Sequence, residues 1–193
     1  MNANLNARLL VVVGPSGAGK DSLLAWLRKR LPATQPVHWT RRTITRPVQA
    51  GGEDHESLDE AAFFLVQQAG GFAMHWQANG LQYGIRHREL RPLAQGQWVM
   101  LNGSRAHLPD CAQVCPGMTV LHITADTEVL RERLHKRGRE NKEAIEARLR
   151  REVKLEVPAG TRLLEVRNNA SLDVAGAQLL SMLECLPGWS GCE

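Results

Sequence analysis

The stretch LLVVVGPSGAGKDSL, residues 9–23, constrains the fold more than any other part of the sequence. Its five leading apolar residues predict a buried strand, a glycine-rich turn follows, and apolar residues then recur at helical spacing. Gly14, Gly19 and Lys20 match the pattern G-x-x-x-x-G-K, in which backbone N–H groups and a lysine ammonium hold phosphate oxygens. The stretch therefore predicts a strand, a phosphate-binding loop over residues 14–20, and a helix that begins where the loop ends.

The loop has two other interpretations. Ser16 could belong to the hydrolase pattern G-x-S-x-G, but Gly17 and Ala18 follow it and the last glycine is missing. A loop that has lost its nucleotide is the remaining alternative. We expect a nucleotide to bind here.

Asp21 is the exception in this motif, because Ser or Thr normally follows the lysine. A carboxylate about 4 Å from a phosphate charge costs on the order of 4 kcal/mol at an effective dielectric near 20, so it needs a counter-ion. We expect Asp21 to hold the Mg²⁺ of MgATP, directly or through a water, and Ser22 to bond a phosphate. In the alternative interpretation, Asp21 points away and only favours the start of the helix.

Composition excludes several classes of protein. The chain has 193 residues, 43% of them hydrophobic and 23% charged, which predicts one globular domain over residues 1–193. The apolar run of five is too short for a signal core or a membrane span, so we expect a cytoplasmic protein without a membrane partner. Four cysteines lack paired metal spacings and predict free thiols without a structural metal. These are Cys111, Cys115, Cys185 and Cys192.

The basic residues are skewed towards arginine. The sequence has 24 Lys and Arg residues, of which only five are Lys, and a net charge of +4. Arginine suits bidentate phosphate binding, although a GC-rich genome would give the same skew. We expect a phosphorylated small molecule as substrate, no nucleic-acid partner, and a monomer or homodimer.

Strand-like and helical patterns alternate along the chain and predict an α/β fold with a parallel core sheet. The predicted strands are residues 9–13, 37–39, 98–101, 118–123 and 162–166. The predicted helices are residues 21–31, 126–137, 142–157 and 171–183. The polar, glycine-rich segment 41–56 interrupts this alternation and predicts a functional loop. Residues 131–151 carry dense alternating charge, for which a pair of solvated helices is the simpler explanation.

The order of motifs after the loop resembles the guanylate kinase superfamily over residues 8–182. The motifs are TRP at 45–47, GGEDH at 51–55, YG at 83–84 and RGRENKEAIEARL at 137–149. The resemblance implies a P-loop NTPase three-layer fold with a core over 8–40 and 96–185. It also implies an acceptor-binding insertion over 41–95 and a lid over 131–151. Arg46 and Tyr83 would hold the acceptor phosphate, and the lid residues Arg137 and Arg148 would embrace the ATP triphosphate.

Departures from that pattern concern the acceptor. Met74 in FAMHW stands where guanylate kinases read guanine with a glutamate, His55 stands where they have tyrosine, and Asn102 and Ser104 replace two aspartates. Loss of such polar recognition costs a factor of about 10⁴ in discrimination, so guanylate is a poor acceptor candidate.

The blocks NGSRAHLP at 102–109 and RGREN at 137–141, with Asp21, more closely resemble the ribose 1,5-bisphosphate phosphokinases of phosphonate breakdown. That resemblance implies phosphorylation of ribose 1,5-bisphosphate by ATP, giving 5-phosphoribosyl 1-diphosphate (PRPP). The alternatives are a guanylate or other nucleoside monophosphate kinase, and a catalytically silent guanylate-kinase-like module that binds a protein.

The candidate site residues fall into two groups. The nucleotide group is Gly14, Pro15, Ser16, Gly17, Ala18, Gly19, Lys20, Asp21, Ser22, Arg133 and Arg137. The acceptor group is Arg46, Glu53, His55, Tyr83, Asn102, Ser104, Arg105 and Arg148. Lys20, Arg137 and Arg148 are the expected catalytic residues. We expect Met74 and Trp76 to serve packing, and Asn168 to lie near the adenine by its position.

Overall fold

A computed structural model describes residues 7–48, 54–138, 141–150 and 154–189, with the side chain of Arg148 outside the description. Its core is a five-stranded, wholly parallel sheet with strand order β2-β7-β1-β8-β9. The strands are β1 (Leu9–Val13), β2 (Val37–Trp39), β7 (Trp98–Asn102), β8 (Thr119–Thr124) and β9 (Arg162–Arg167). The predicted α/β class and all five predicted core strands are confirmed.

Helices cover both faces of this sheet. The longer ones are α1 (Lys20–Arg30), α2 (Glu60–Gln68), α5 (Thr127–Arg137), α6 (Lys142–Arg150) and α7 (Leu172–Glu184). Two short ones are α3 (Arg91–Ala94) and α4 (Leu108–Val114). No helix among the described residues is long and apolar enough to span a membrane.

The predicted extent of α6 is wrong. The helix was expected to reach Val157, but it ends at Arg150 within the described chain, and residues 154–158 are not helical. Leu155 instead packs against an apolar cluster of the core, and Pro158 disfavours helical backbone in the residue before it.

Alternate residues of β1 point into two separate cores. Leu10 and Val12 join the helices α1 and α7, where Trp26 and Leu179 are buried. Val11 and Val13 face the opposite side, where α4 packs. Because parallel strands are covered on both faces, their residues read as continuous apolar runs. The phosphate-binding loop therefore leaves a rigid, buried strand.

A second sheet, with strand order β4-β3-β6-β5, forms the region predicted to bind the acceptor. Its strands are β3 (Arg42–Ile44), β4 (His55–Ser57), β5 (Phe72–Ala78) and β6 (Leu81–Arg86). Met74, Trp76 and Tyr83 pack from it against the Val11 face of the core. The second sheet thus rests on one face of the core sheet through apolar contacts.

Glu89 fixes the connection between the two sheets. Its buried carboxylate accepts hydrogen bonds from His38 Nε2 at 2.9 Å and from the backbone N of Arg41 at 3.0 Å. These bonds hold the pKa of Glu89 below its usual value against the opposing effect of burial. Strand β2 and the start of β3 are therefore tied to the same side chain.

Gly176 allows α7 to approach α1, because a Cβ there would lie 2.5 Å from the Trp26 ring. We expect Gly176→Ala to lower the free energy of unfolding by about 1–3 kcal/mol, since the ring has no room to move. Helix propensity alone would raise it by up to about 1 kcal/mol. Urea unfolding checks the sign, with Ala177→Gly on the exposed side of α7 as the propensity control. A stabilised Gly176→Ala variant would contradict this packing.

Candidate functional site

The phosphate-binding loop is shaped by close approach to the neighbouring strands. A Cβ on Gly14 would collide with the backbone carbonyl of Ile123 in β8. Gly19 has φ +86°, and a Cβ there would lie 2.5 Å from Asn168 Nδ2. Asn168 is 3% exposed and donates to the carbonyl of Ala18 at 2.8 Å. Asn168 therefore holds the loop through the Ala18 carbonyl. Its sequence position predicted only that it would lie near the adenine.

Lys20 lies at the centre of the site. Its Nζ donates to the carbonyls of Gly14 at 2.9 Å and Pro15 at 3.1 Å. Burial lowers the pKa of Lys20 to about 8; Asp21 opposes this shift, and Arg42, Arg105 and Arg137 add to it. Three arginines and one carboxylate thus act on a buried ammonium. This excess of positive charge favours a polyanionic ligand.

Asp21 contacts the end of a neighbouring strand. Its Oδ1 accepts a hydrogen bond of 2.7 Å from Asn102 Nδ2, and Asn102 is the last residue of β7. The structure therefore places the loop carboxylate beside the carboxyl edge of the sheet. The described residues contain no cluster of three or more His, Cys, Asp or Glu side chains that could hold a metal. A Mg²⁺ here would take most of its ligands from phosphate oxygens and waters.

Arg46 is presented by a loop that His55 and Ser57 hold in place. The Arg46 carbonyl accepts hydrogen bonds from His55 Nε2 at 3.0 Å and from Ser57 Oγ at 2.9 Å. His55 is only 1% exposed, so its ring lies beneath this loop. Arg46 Nε is buried without a partner among the described residues. Glu53, predicted to contact the acceptor, lies outside the described residues.

Tyr83 and its neighbours form the floor of the region predicted to bind the acceptor. The Tyr83 ring stacks on Trp76 with centroids 5.4 Å apart, and the Arg42 guanidinium lies 5.2 Å from its centroid. Met74 and Trp76 are buried, which confirms their predicted packing role. Arg42 also donates to the Asn102 carbonyl at 3.4 Å. Sequence reasoning missed Arg42, although the pair Arg41 and Arg42 before TITRP was a signal.

A cavity of about 230 Å³ lies beside Arg105 and is lined by Arg105, Ala106, Pro109, Lys154 and Glu156. Burial lowers the pKa of Arg105. Ser104 precedes Arg105 at a short 3₁₀ turn, and its carbonyl accepts from the backbone N of His107 at 3.1 Å. Lys154 was not predicted, because its segment was assigned to a helix.

A second cavity, of about 340 Å³, has a different lining that includes Met74, His75, His107 and Asp110. Among the described residues that line it, none is Arg or Lys. Asp110 lies 2.6 Å from His107 Nδ1. The first cavity therefore fits a phosphate better than the second.

The charged helices α5 and α6 follow the core. Arg133 Nη1 is buried without a partner in the described part of the chain, and lies 3.9 Å from the position that a Gly19 Cβ would take. Arg137 ends α5 close enough to act on Lys20. The ion pair of Arg131 Nε with Glu146 Oε1, at 2.7 Å, joins the two helices. Arg148 belongs to α6.

The three described cysteines are not among the residues of this site. Cys111, Cys115 and Cys185 are free thiols, as predicted, and Cys192 lies outside the described residues. Burial raises the pKa of Cys111 to about 12, so this thiol is unreactive at neutral pH.

The fold and this site define a class of protein. The family model described as guanylate kinase matches residues 6–184, and the chain belongs to that family. The crystal structure of guanylate kinase from Anaplasma phagocytophilum has the same fold, with a TM-score of 0.61 at 15% identity. It covers 91% of this chain and 84% of its own.

Closer relatives place the chain in a particular branch, the ribose 1,5-bisphosphate phosphokinase family. The ribose 1,5-bisphosphate phosphokinase PhnN of Thiobacillus denitrificans is 43% identical over 91% of this chain and 92% of its own length. PhnN of Laribacter hongkongensis is 47% identical over 91% of this chain. The chain spans only 42% of that longer relative.

The lowered pKa of Lys20 predicts proton uptake when a nucleotide binds. Near pH 8 roughly half of the Lys20 side chains are neutral, and phosphate anions favour the ammonium. We expect uptake of about 0.5 proton per ADP at pH 8, and affinity that falls as the pH rises further. Calorimetry of ADP binding in two buffers of different ionisation enthalpy measures the number of protons taken up. Lys20→Met should lose the uptake and Lys29→Met, at the exposed end of α1, should keep it. Equal uptake in all three proteins would contradict the assignment to Lys20.

Proposed function

We propose that the protein transfers the γ-phosphate of MgATP to ribose 1,5-bisphosphate, giving PRPP and ADP. The observation that carries this proposal is the cluster of cations around buried Lys20, with Arg42, Arg105 and Arg137 acting on one ammonium. ATP and a sugar bisphosphate together bring about eight negative charges, which such a cluster compensates. Ribose 1,5-bisphosphate is proposed as the acceptor because the similar proteins are named ribose 1,5-bisphosphate phosphokinases.

The nucleophile is an oxygen of the 1-phosphate. The second pKa of a phosphate is about 6, so this oxygen is ionised at neutral pH and needs no general base. It attacks the γ-phosphorus, the bond between this phosphorus and the β–γ bridging oxygen breaks, and ADP leaves. No proton moves in this step. The protein therefore acts by positioning and charge neutralisation.

The phosphate-binding loop holds the nucleotide. Residues 14–20 offer backbone N–H groups at the start of α1, and Lys20 exchanges its bonds to the Gly14 and Pro15 carbonyls for phosphate oxygens. Asp21 fits a Mg²⁺ site because its carboxylate lies at the loop's end beside Asn102, and Ser22 bonds a phosphate oxygen. When bound, Mg²⁺ neutralises charge on the β- and γ-phosphates.

The acceptor lies between the two sheets. Arg46 Nε is buried and has no partner among the described residues, and Tyr83 and Arg42 give a polar edge above an apolar floor. The cavity with Arg105 and Lys154 takes the second phosphate, while Glu156 accepts hydrogen bonds from ribose hydroxyls. Buried Met74 offers guanine no carboxylate. The 1-phosphate then faces the loop.

The segment 131–151 acts as the lid of a single kinase domain. Arg133 has a buried donor beside the loop, and Arg137 approaches the transferred phosphoryl group when α5 and α6 close. The resemblance to guanylate kinases gives Arg148 the same role. Closure excludes water and limits ATP hydrolysis.

The acceptor assignment is tested by offering MgATP with ribose 1,5-bisphosphate, ribose 1-phosphate or GMP and following ADP release. We expect kcat/KM for the bisphosphate to exceed that for GMP by about 10⁴, because Met74 cannot bond guanine. GMP turnover equal to or faster than bisphosphate turnover would contradict the proposal. A protein that neither binds nor hydrolyses MgATP would instead be a protein-binding module.

The cavity assignment is tested by Lys154→Gln, which removes a charge from the site of the second phosphate. We expect KM for ribose 1,5-bisphosphate to rise about tenfold, with a much smaller effect on ribose 1-phosphate, because one charge-assisted hydrogen bond is lost. Lys29→Gln is the matched control on an exposed helix end. Equal effects on both acceptors would place the second phosphate elsewhere.

A further inference from the structure

Asn102 is held between the phosphate-binding loop and the second sheet. Its backbone pairs with Val12 of β1, which brings it to the strand end next to the loop. Its Nδ2 donates to Asp21 Oδ1 at 2.7 Å, and its carbonyl accepts from Arg42 Nη1 at 3.4 Å. Three segments of the chain thus fix the position of this residue.

The other end of the same amide is unsatisfied. Asn102 Oδ1 is buried, and no group in the described part of the chain donates to it. The bond to a carboxylate determines the orientation, because only the NH₂ end of an amide can donate to Asp21. Buried polar atoms without partners are rare, and each calls for a ligand, a water or an ion.

A hard cation explains this arrangement. Amide and carboxylate oxygens are both ligands of Mg²⁺, and Asp21 has a second oxygen besides the one bonded to Asn102. Outer partners that fix a metal-binding carboxylate are a general feature of metal sites. The amide of Asn102 combines a donor to Asp21 with an oxygen that has no partner among the residues the structure describes.

We propose that Asn102 and Asp21 form one metal-holding pair, in which the Asn102 NH₂ orients the Asp21 carboxylate and Asn102 Oδ1 receives the Mg²⁺ or one of its waters. This inference rests on the proposed nucleotide site and does not depend on the acceptor. It assigns Asn102 to the nucleotide side, whereas the sequence placed it with the acceptor. The pair needs one carboxylate and one amide in contact. The carboxylate can stand at position 21 and the amide at position 102, or the two can be exchanged.

The test is Mg²⁺-dependent binding of ADP, measured by calorimetry with and without Mg²⁺, so that catalysis is not needed. We expect Asp21→Asn and Asn102→Ala to reduce the Mg²⁺ enhancement of ADP affinity by about 10- to 100-fold, while metal-free ADP binding persists. The exchange variant Asp21→Asn/Asn102→Asp should recover the enhancement to within about threefold of wild type, because one carboxylate and one amide are again in contact. Gln77→Ala, an exposed amide on β5, is the control.

Two results would overturn the proposal. One is an unchanged Mg²⁺ enhancement in Asn102→Ala. The other is an exchange variant that binds Mg²⁺-ADP no better than Asp21→Asn while still binding metal-free ADP, which shows that it is folded. A wrong acceptor assignment leaves all of these affinities unchanged, so the two failures are distinguishable.

Discussion

The buried ammonium of Lys20 is the constraint on which the site depends. The backbone carbonyls of Gly14 and Pro15 hold it, while burial and three arginines oppose its charge. Such a cation is stable only because the loop surrounds it with backbone dipoles and Asp21 stands beside it. Phosphate oxygens satisfy the same requirement better, because they bring full negative charge. The loop therefore has a built-in preference for a polyanion.

The arginines that act on Lys20 come from different segments of the chain. Arg42 begins the second sheet, Arg105 follows β7, and Arg137 ends α5. Their positive charges all act on the Lys20 ammonium. A polyanion bound at the loop would therefore be attracted by all three segments.

Much of the core was predictable because its signals are local. The run Leu9–Val13 and the glycines at 14 and 19 specify strand, loop and turn without help from the rest of the chain. The end of α6 was not predictable, since Leu155 leaves helical backbone to join a distant apolar cluster. A polar loop likewise gave no sign that His55 would be buried.

The contacts within the site were harder to predict than its members. Asp21 and Asn102 were both recognised as departures from a family pattern, but their contact depends on β7 lying next to β1. The approach of Arg42 to Lys20 depends in turn on how the second sheet docks. Sequence spacing carries neither fact, because the first follows from the order of strands in the core sheet and the second from the docking of the second sheet. The family resemblance predicted the reaction, whereas the contacts of each charged side chain are known only from the structure.

The proposed acceptor is a phosphate oxygen on C1 of a ribose bisphosphate. Phosphorus NMR of the product formed from MgATP and ribose 1,5-bisphosphate identifies the oxygen that receives the phosphoryl group. We expect two coupled phosphorus signals from a new diphosphate on C1, with the 5-phosphate signal unchanged. A diphosphate on C5, or release of inorganic phosphate alone, would contradict it.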